Sequence, residues 1–215
     1  MNQQVVVDWD GTATEVDGLH LVLLEFGDES VFEEHESRLG RELTLHDVIA
    51  GEFRTVRAPL DDVAEWLREH ARLRPGFVEF ARRHDPLVVS SGFHELIGPV
   101  LEREGLVVDV VANRLDPRAD GWRVHFRNDE PCPVCGEPCK RADVAHLDGF
   151  TYVGDGFSDR CVALAATRVL ARDGLAGYLA ERGVGFDRFE DFYDVAKVVD
   201  GAALVPPSRR RGRKT

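Results

Sequence analysis

Short apolar runs that alternate with helical patterns constrain this fold more than any other feature of the sequence. Buried strands are predicted at Val5–Val7, Pro86–Val89, Leu106–Val111, Thr151–Val153 and Arg168–Leu170. Helical patterns separate several of them, at 74–84, 92–104 and 158–166. Because parallel strands need long crossover connections, the alternation predicts an α/β fold, a Rossmann-like, doubly wound parallel sheet with helices on both faces.

A block of helices interrupts this alternation directly after the first strand. Four helical patterns follow one another between Leu19 and His70, with no strand pattern between them. We therefore predict an α/β core (1–15 and 73–205), a small helical cap inserted between its two parts (16–72), and a disordered basic tail (206–215). An insertion at this point overhangs the carboxyl ends of the strands, where open α/β sheets bind ligands, so the cap is expected to act as a lid.

The charge distribution argues against several classes of partner. The chain has 27 Lys+Arg against 39 Asp+Glu, a net charge of −12, although its last ten residues are basic. An acidic body disfavours binding to nucleic acid. No apolar run reaches the roughly 18 residues that a membrane span needs, and no secretion signal is seen at the N-terminus. A cytoplasmic protein, as a monomer or homodimer, is expected.

Polar clusters follow three of the predicted strands, at 8–12, 90–92 and 154–159. In a parallel sheet these strand ends meet at one edge, which would gather up to four carboxylates. Such carboxylates repel one another unless a cation joins them, and Mg²⁺ is the usual ion for hard oxygen ligands. Ser90 and the amides beside it, at an expected helix N-terminus, would bind an anion together with Lys140. Together, these features predict a phosphate ester as substrate and Mg²⁺ as cofactor.

In this order, the motifs resemble those of the haloacid dehalogenase superfamily, in its phosphoserine-phosphatase-like branch with a cap after the first motif. The matching residues are Asp8-x-Asp10-Gly11-Thr12, Ser90, Lys140 and Gly154-Asp155-Gly156-x-Ser158-Asp159. Ser91 departs from the pattern, since glycine is more usual there. Further stretches resemble the methionine-salvage phosphatases that act on 2-hydroxy-3-keto-5-methylthiopentenyl-1-phosphate. These stretches are Leu73–Phe77, Cys135–Lys140, Ala171–Asp173 and Asp191–Tyr193.

The resemblance implies a two-step hydrolysis through an aspartyl-phosphate. Asp8 would attack phosphorus, and Asp10 would protonate the leaving oxygen and then deprotonate water. Mg²⁺ would be held by Asp8, the carbonyl of Asp10 and Asp155, with Asp159 as a further or water-mediated ligand. The phosphoryl oxygens would be bound by Ser90, Ser91, Gly92 and Lys140. The implied partner is a small phosphorylated metabolite, with the methionine-salvage ester as the first expectation and phosphoserine as the alternative.

Substrate choice is expected to depend on the cap. Asp17 matches in spacing an acidic residue that reads the substrate amine in phosphoserine phosphatases, although an exposed hinge carboxylate explains it equally well. Arg54 and Arg57 are candidate cap contacts, and Arg172 follows the end of a strand. An exposed surface position explains Arg54 and Arg57 better than a cap contact does, whereas Arg172 is the arginine more expected to face the site.

Three cysteines, Cys132, Cys135 and Cys139, lie within eight residues. In a chain expected to be cytoplasmic, this spacing indicates either reduced thiols or a zinc site. A closed tetrahedral zinc site needs a fourth ligand, and three residues compete for that role: Cys161, His125 and His146.

Two functions from other classes fit parts of the sequence. A phosphoryl receiver would be phosphorylated on Asp8 without turnover, but it needs neither a general acid at Asp10 nor a lid. A zinc-binding interaction module would use the cysteines and the basic tail.

Overall fold

A mostly parallel sheet of seven strands lies at the centre of the structure, a computed structural model that describes residues 3–201. The strands are β1 (Gln4–Val7), β2 (Leu87–Phe93), β3 (Val110–Asp116), β4 (Arg123–His125), β5 (Phe150–Gly154), β6 (Arg168–Ala171) and β7 (Asp187–Arg188). Their spatial order is β4-β3-β2-β1-β5-β6-β7. Only β4 runs antiparallel to its neighbour. The predicted α/β fold is therefore confirmed.

Helices connect most of the strands. They are α1 (Gly18–Phe26), α2 (Glu29–Arg38), α3 (Leu45–Phe53), α4 (Leu60–His70), α5 (Phe77–His84), α6 (His94–Arg103), α7 (Arg160–Ala163), α8 (Asp173–Glu181) and α9 (Phe192–Val199). The first four all lie between β1 and β2, inside the block that the sequence predicts to be helical.

The alternation of side chains along β1 explains why both faces of the sheet are covered. Val5 and Val7 pack into one apolar cluster with α5, α6 and α9, while Val6 packs into a second cluster with α7 and α8. Successive residues of a strand point to opposite faces, so a strand of three buried valines needs helices on both sides. Burial of each valine contributes about 1.5–3 kcal/mol.

Strand β1 lies at the centre of the sheet, between β2 and β5. From β1, the later strands are added outward in both directions. Val7 is in register with Val88 on one side and with Val153 on the other. The loops that follow β1, β2 and β5 consequently emerge side by side at the carboxyl edge. This is the position at which doubly wound sheets bind ligands.

The helical block packs on this edge through aromatic side chains. Phe53 of α3 meets Phe93 at the end of β2, with ring centroids 4.7 Å apart in an edge-to-face arrangement. Trp122, which is fully buried, lies on the other side of Phe53 and donates from its indole nitrogen to the carbonyl of Ala58 at 3.0 Å. These contacts place α3 over the end of β2.

The predicted strand at 106–111 begins four residues too early, because β3 spans Val110–Asp116. The chain leaves α6 through Gly105, which has a φ of +59°, and the amide of Leu106 donates to the carbonyl of Leu101 at 3.0 Å. This helix-ending turn occupies the first apolar residues of the run.

Two predicted helix starts are also wrong. Strand β2 continues through Ser90 to Phe93, so α6 begins at His94 rather than at Gly92. Helix α7 spans Arg160–Ala163 and not the predicted 158–166. The sequence analysis did not predict α8, β7 or α9.

Within residues 3–201, no helix is long and apolar enough to cross a lipid bilayer. The predicted basic tail and residues 202–205 of the predicted core lie outside the described residues.

Candidate active site

A cavity of about 280 Å³ opens at the carboxyl edge of the sheet, between the loops after β1, β2 and β5 and the helices α1–α3. The predicted residues Asp8, Asp10, Ser91 and Asp155 line it. Asp17, the predicted cap residue, also lines it. The sequence therefore identified both the loops and most of the polar side chains that meet here.

The loop after β1 turns tightly and is hydrogen-bonded to the loop after β5. Asp8 begins the turn, and its Oδ1 accepts a hydrogen bond from the amide of Trp9 at 2.7 Å. Gly11 has a φ of +74°, and a Cβ there would lie 2.6 Å from Oδ2 of Asp155, so the position requires glycine. The Thr12 hydroxyl donates to Oδ1 of Asp155 at 2.5 Å. The Gly-Thr pair therefore orients the Asp155 carboxylate.

Arg74 holds the same loop from the core side, and sequence reasoning gave it no role. Its buried guanidinium donates to the carbonyls of Gly11, Thr12 and Thr14 at 2.6, 2.8 and 3.0 Å. These bonds satisfy carbonyl groups that a buried turn would otherwise leave unpaired. Arg74 is therefore a positioning residue for the turn that follows Asp8.

Lys140 is 1% exposed and joins two of the aspartates. Its Nζ donates to Oδ1 of Asp8 at 2.5 Å and to Oδ1 of Asp159 at 2.8 Å. The two neighbouring carboxylates raise the pKa of Lys140 even though burial acts in the opposite direction. Lys140, which the sequence predicts to bind phosphate, is therefore a fixed positive charge beside Asp8.

Asp159 is fully buried, and hydrogen bonds occupy both of its oxygens. Oδ1 accepts from Tyr152 at 2.7 Å as well as from Lys140, and Oδ2 accepts from the amides of Asp155 and Gly156, both at 2.9 Å. Burial acts to raise its pKa, but the Lys140 charge and the Gly156 amide hold the pKa of Asp159 below its usual value. This carboxylate is thus an ionised group that holds Lys140 and the β5 loop in place.

Asp8 and Asp155 are crowded carboxyls. Burial and the nearby Asp159 charge raise the pKa of Asp8, and the same two causes raise the pKa of Asp155 to about 6. Oxygens of these three side chains lie within 4.8 Å of one another. Among the described residues, Oδ2 of Asp8 and Oδ2 of Asp155 accept no hydrogen bond. Two free oxygens in an acidic cluster suit a hard divalent cation.

Asp10 lies two residues after Asp8 and faces the same cavity. Its Oδ1 accepts from the amide of Gly18 at 3.0 Å, and its Oδ2 lies 3.3 Å from the hydroxyl of Ser90. Burial, followed by the charge of Asp17, raises the pKa of Asp10 to about 8. Asp10 is therefore largely protonated at pH 7, while Asp159 is ionised.

The Ser90–Gly92 segment forms the end of β2, not the helix N-terminus that was predicted. The Ser90 hydroxyl accepts from the amide of Gly92 at 2.8 Å and is itself fully buried. A Cβ on Gly92 would lie 2.9 Å from Oδ2 of Asp10, so glycine lets this carboxyl approach the strand. Ser91 lines the cavity, as expected for a phosphate-binding residue.

The cap side of the cavity is mostly apolar. Its walls include Leu23, Phe32, Val48 and Ile49, and the ring of His20 stacks on Phe32 at 4.3 Å. Among the residues that line the cavity, none is lysine or arginine. Lys140 does not line this cavity itself, but its ammonium group contacts Oδ1 of Asp8, which does.

Glu52 is one of three acidic residues on this side of the cavity, with Asp17 and Glu36, and it was not selected from the sequence. It is 4% exposed, and its Oε1 has no hydrogen-bond partner among the described residues. Burial, together with the charges of Glu36 and Asp17, raises the pKa of Glu52 to about 8. One signal was present in the sequence, because Glu52 lies four residues after Val48, on the buried face of α3.

The predicted arginines do not reach the cavity. Arg54 and Arg57 are exposed, and Arg172 pairs with Asp173 and donates to the carbonyl of Glu190. None of the three lines the cavity. Asp17 does, and it also caps α1 by accepting from the amide of His20 at 3.0 Å.

The cysteine cluster, which we define as Cys132, Cys135, Cys139 and Cys161, comes together beside Lys140. Its four Sγ atoms lie within 4.8 Å of one another. Of the three residues that competed for the fourth position, Cys161 is the one that joins the group, and neither His125 nor His146 belongs to it.

A second cavity, of about 270 Å³, adjoins the first. It shares Ser91, Phe157 and Ser158 with the first cavity, and Lys140 and Tyr178 also line it. None of Asp8, Asp10 and Asp155 lines it, so the acid chemistry belongs to the first cavity.

Comparisons with known proteins agree with this geometry. The model of the haloacid dehalogenase-like hydrolase family matches residues 5–164. The chain is 29% identical to the 2-hydroxy-3-keto-5-methylthiopentenyl-1-phosphate phosphatase of Lysinibacillus sphaericus, over 93% of this chain and 94% of the relative. It is 28% identical to the protein of the same name from Exiguobacterium sp., over 94% and 99%. The phosphoserine phosphatase structure from T. onnurineus has the same fold, with a TM-score of 0.65 and 18% identity over 94% of this chain and 96% of that one.

Proposed function

The chain belongs to the haloacid dehalogenase-like hydrolase family, and from that premise we propose that this phosphatase hydrolyses a small metabolite phosphomonoester through an aspartyl-phosphate on Asp8. One observation carries the proposal. Asp8 is held by Lys140 at one oxygen, with its other oxygen free, next to an Asp10 whose pKa is about 8. Burial and the Asp159 charge raise the pKa of Asp8, but the Lys140 charge acts against them and so favours the nucleophilic carboxylate form. A carboxylate with a free oxygen and a protonated acid on one loop are what a two-step phosphoryl transfer needs.

In the first step, Oδ2 of Asp8 attacks phosphorus while the bond between phosphorus and the ester oxygen breaks. Asp10 supplies the proton that the departing alkoxide takes up. In the second step, water attacks phosphorus, Asp10 accepts a proton from that water, and the bond to Asp8 breaks to release inorganic phosphate. The hydrogen bonds from Trp9 and Lys140 to Oδ1 orient Asp8 so that Oδ2 faces the cavity.

The phosphoryl oxygens would be bound on the core side. Lys140 supplies positive charge, and Ser90 and Ser91 supply hydroxyl groups at the end of β2. Such fixed donors stabilise charge that develops in the transition state. Asp159 acts indirectly, since it accepts a hydrogen bond from the Lys140 ammonium group, and Tyr152 in turn donates to Asp159.

Asp8, the free oxygen of Asp155 and the backbone carbonyl of Asp10 would hold Mg²⁺. The bound ion would offset the negative charge shared by the carboxylates and the phosphoryl group. Asp159 would support this site through the amides of the β5 loop, since its oxygens are already hydrogen-bonded.

We infer that residues 16–72 act as a cap that selects the substrate. The apolar walls suit a ligand with an uncharged, partly apolar tail, such as the methionine-salvage ester named for the relatives. Phosphoserine is the second candidate. Asp17 and Glu36 suit its ammonium group, but no lysine or arginine among the cavity-lining residues meets its carboxylate. The alternatives without turnover, a phosphoryl receiver and an interaction module, are set aside because the family is one of hydrolases.

Phosphate release across a panel of metabolite monoesters, with and without Mg²⁺, tests the proposal. We expect Mg²⁺-dependent turnover that is fastest for the methionine-salvage ester and slower for phosphoserine. Turnover restricted to phosphoproteins or nucleic-acid ends would contradict it, as would equal rates with and without Mg²⁺.

A further inference from the structure

The spacing of the sulfur atoms in the cysteine cluster is that of a metal tetrathiolate. All four Sγ atoms lie within 4.8 Å of one another, and those of Cys132 and Cys161 are 3.8 Å apart. A disulfide would require about 2.05 Å, and all four cysteines are free. Four sulfurs placed about 2.3 Å from a central tetrahedral ion lie about 3.8 Å from one another.

The backbone around Cys132 and Cys135 places amide donors near the sulfur of Cys132. The amide of Val134 donates to Sγ of Cys132 at 3.5 Å. The chain then turns back through Gly136, which has a φ of +81° and whose amide donates to the carbonyl of Cys132 at 2.8 Å. Burial raises the pKa of Cys132, but amide hydrogen bonds from Cys135 and Val134 outweigh it and lower the pKa to about 7.

Four thiols this close cannot all ionise without a cation. Burial raises the pKa of Cys161 to about 11, and burial also raises the pKa of Cys139. A bound metal ion would lower these thiol pKa values, because it deprotonates the thiols that coordinate it.

The cysteine cluster also joins two segments of the chain that border the buried Lys140. Residues 126–149 contain no helix or strand, yet they carry the buried Lys140. Cys139 directly precedes Lys140, and Cys161 follows Asp159 by two residues on α7. The sulfur atoms thus connect the loop that bears the lysine to the helix that follows its aspartate partner.

We propose that the cysteine cluster binds one structural Zn²⁺ that fixes the loop 126–149 against α7. Zinc is the ion assigned because it prefers thiolates and tetrahedral geometry, and four protein ligands leave no open position for catalysis. This inference does not rest on the proposed substrate or on the Mg²⁺ site.

Metal analysis of the full chain, purified without metal-affinity resin or chelator, tests the proposal. We expect about one zinc per chain by inductively coupled plasma mass spectrometry. Replacement of zinc by Co²⁺ should give the intense visible bands of tetrahedral thiolate coordination. Less than about 0.1 zinc per chain, with four thiols that react freely in the folded protein, would overturn the proposal. Stoichiometric iron in place of zinc would overturn the assignment of the ion.

Cys135→Ser is the informative variant, because Cys135 is the exposed member of the cysteine cluster and the change keeps its size. It should lower the zinc content at least about tenfold, whereas the matched controls His125→Ala and His146→Ala should keep it. Hydrogen exchange supplies a second readout. Loss of zinc should accelerate exchange of amides in 126–149 and leave those of β1 and β5 unchanged. Unchanged exchange throughout would contradict a role in fixing the loop.

Discussion

The two sides of the catalytic cavity are built differently. On the core side, Asp159 uses both oxygens in hydrogen bonds and Lys140 bridges two carboxylates. On the cap side, the walls are mostly apolar, and among the described residues Oε1 of Glu52 has no hydrogen-bond partner. We propose that the fixed core side serves the phosphoryl group, which is common to all monoesters, while the cap side meets the rest of the substrate. Chemistry and selectivity would then be separable in this molecule.

Asp8→Asn should have the largest effect, because it removes the attacking oxygen from the core side. We expect kcat to fall by more than about 10⁴-fold for every substrate, with the folded structure retained. Steady-state kinetics and circular dichroism check this, with Asp109→Asn as an exposed control. Activity within about tenfold of the wild type would refute covalent catalysis by Asp8.

Asp10→Asn should show a smaller loss that depends on the leaving group. An alkyl phosphate needs protonation of its leaving oxygen and should lose about 10²–10⁴-fold in kcat. An activated aryl phosphate needs little protonation and should lose at least about tenfold less. Equal losses for the two substrates would show that Asp10 is not the acid.

Glu52→Gln should change stability in a pH-dependent way. Because burial first, and then Glu36 and Asp17, raise the pKa of Glu52 from 4.5 to about 8, the folded protein holds a proton that the unfolded chain releases. The stability of the wild type therefore falls as pH rises from about 4.5 to about 8, by on the order of a few kcal/mol. The glutamine side chain of the variant cannot ionise, so the stability of Glu52→Gln relative to the wild type should increase toward pH 8.

Urea unfolding at pH 5 and pH 8.5 measures that difference. The exposed Glu25→Gln is the matched control and should show the same stability difference from wild type at both pH values. If the effect of Glu52→Gln were the same at both pH values, Glu52 would not be protonated in the folded protein.

The smallest effects should fall on substrate ranking. Glu52→Gln should alter the ratio of kcat/KM between the preferred ester and a minimal aryl phosphate by up to about tenfold. Arg57→Ala, on the exposed surface of the cap, should change this ratio by less than about twofold. A common loss for both substrates in Glu52→Gln would contradict selection by the cap.

The residues of the core side were predictable for two reasons. They follow buried strands, whose ends meet at one edge of the sheet, and they carry the side chains that phosphoryl transfer needs. The resemblance to the haloacid dehalogenase superfamily is confirmed by the family match. Asp8, Asp10 and Asp155 follow buried strands, and the topology brings those strand ends together. Lys140 was selected as an anion-binding residue together with the Ser90 segment, and it is buried beside Asp8.

The cap side was less predictable, because one residue on a helix face says little about the cavity that it lines. Arg54 and Arg57 were selected for their charge and are exposed, while Glu52 was overlooked on a face that otherwise reads as core. Cys161 illustrates the same difficulty. Its position beside the other cysteines depends on the path of an irregular loop, which no local pattern encodes.

Trapping of the covalent intermediate tests the central claim most directly. Borohydride reduces an aspartyl-phosphate to homoserine, and peptide mass spectrometry locates the change. We predict that wild-type protein mixed with substrate and Mg²⁺ carries this modification at residue 8 alone, and that Asp8→Asn carries none. Modification at Asp10 or Asp155, or turnover without any modified carboxylate, would contradict the account.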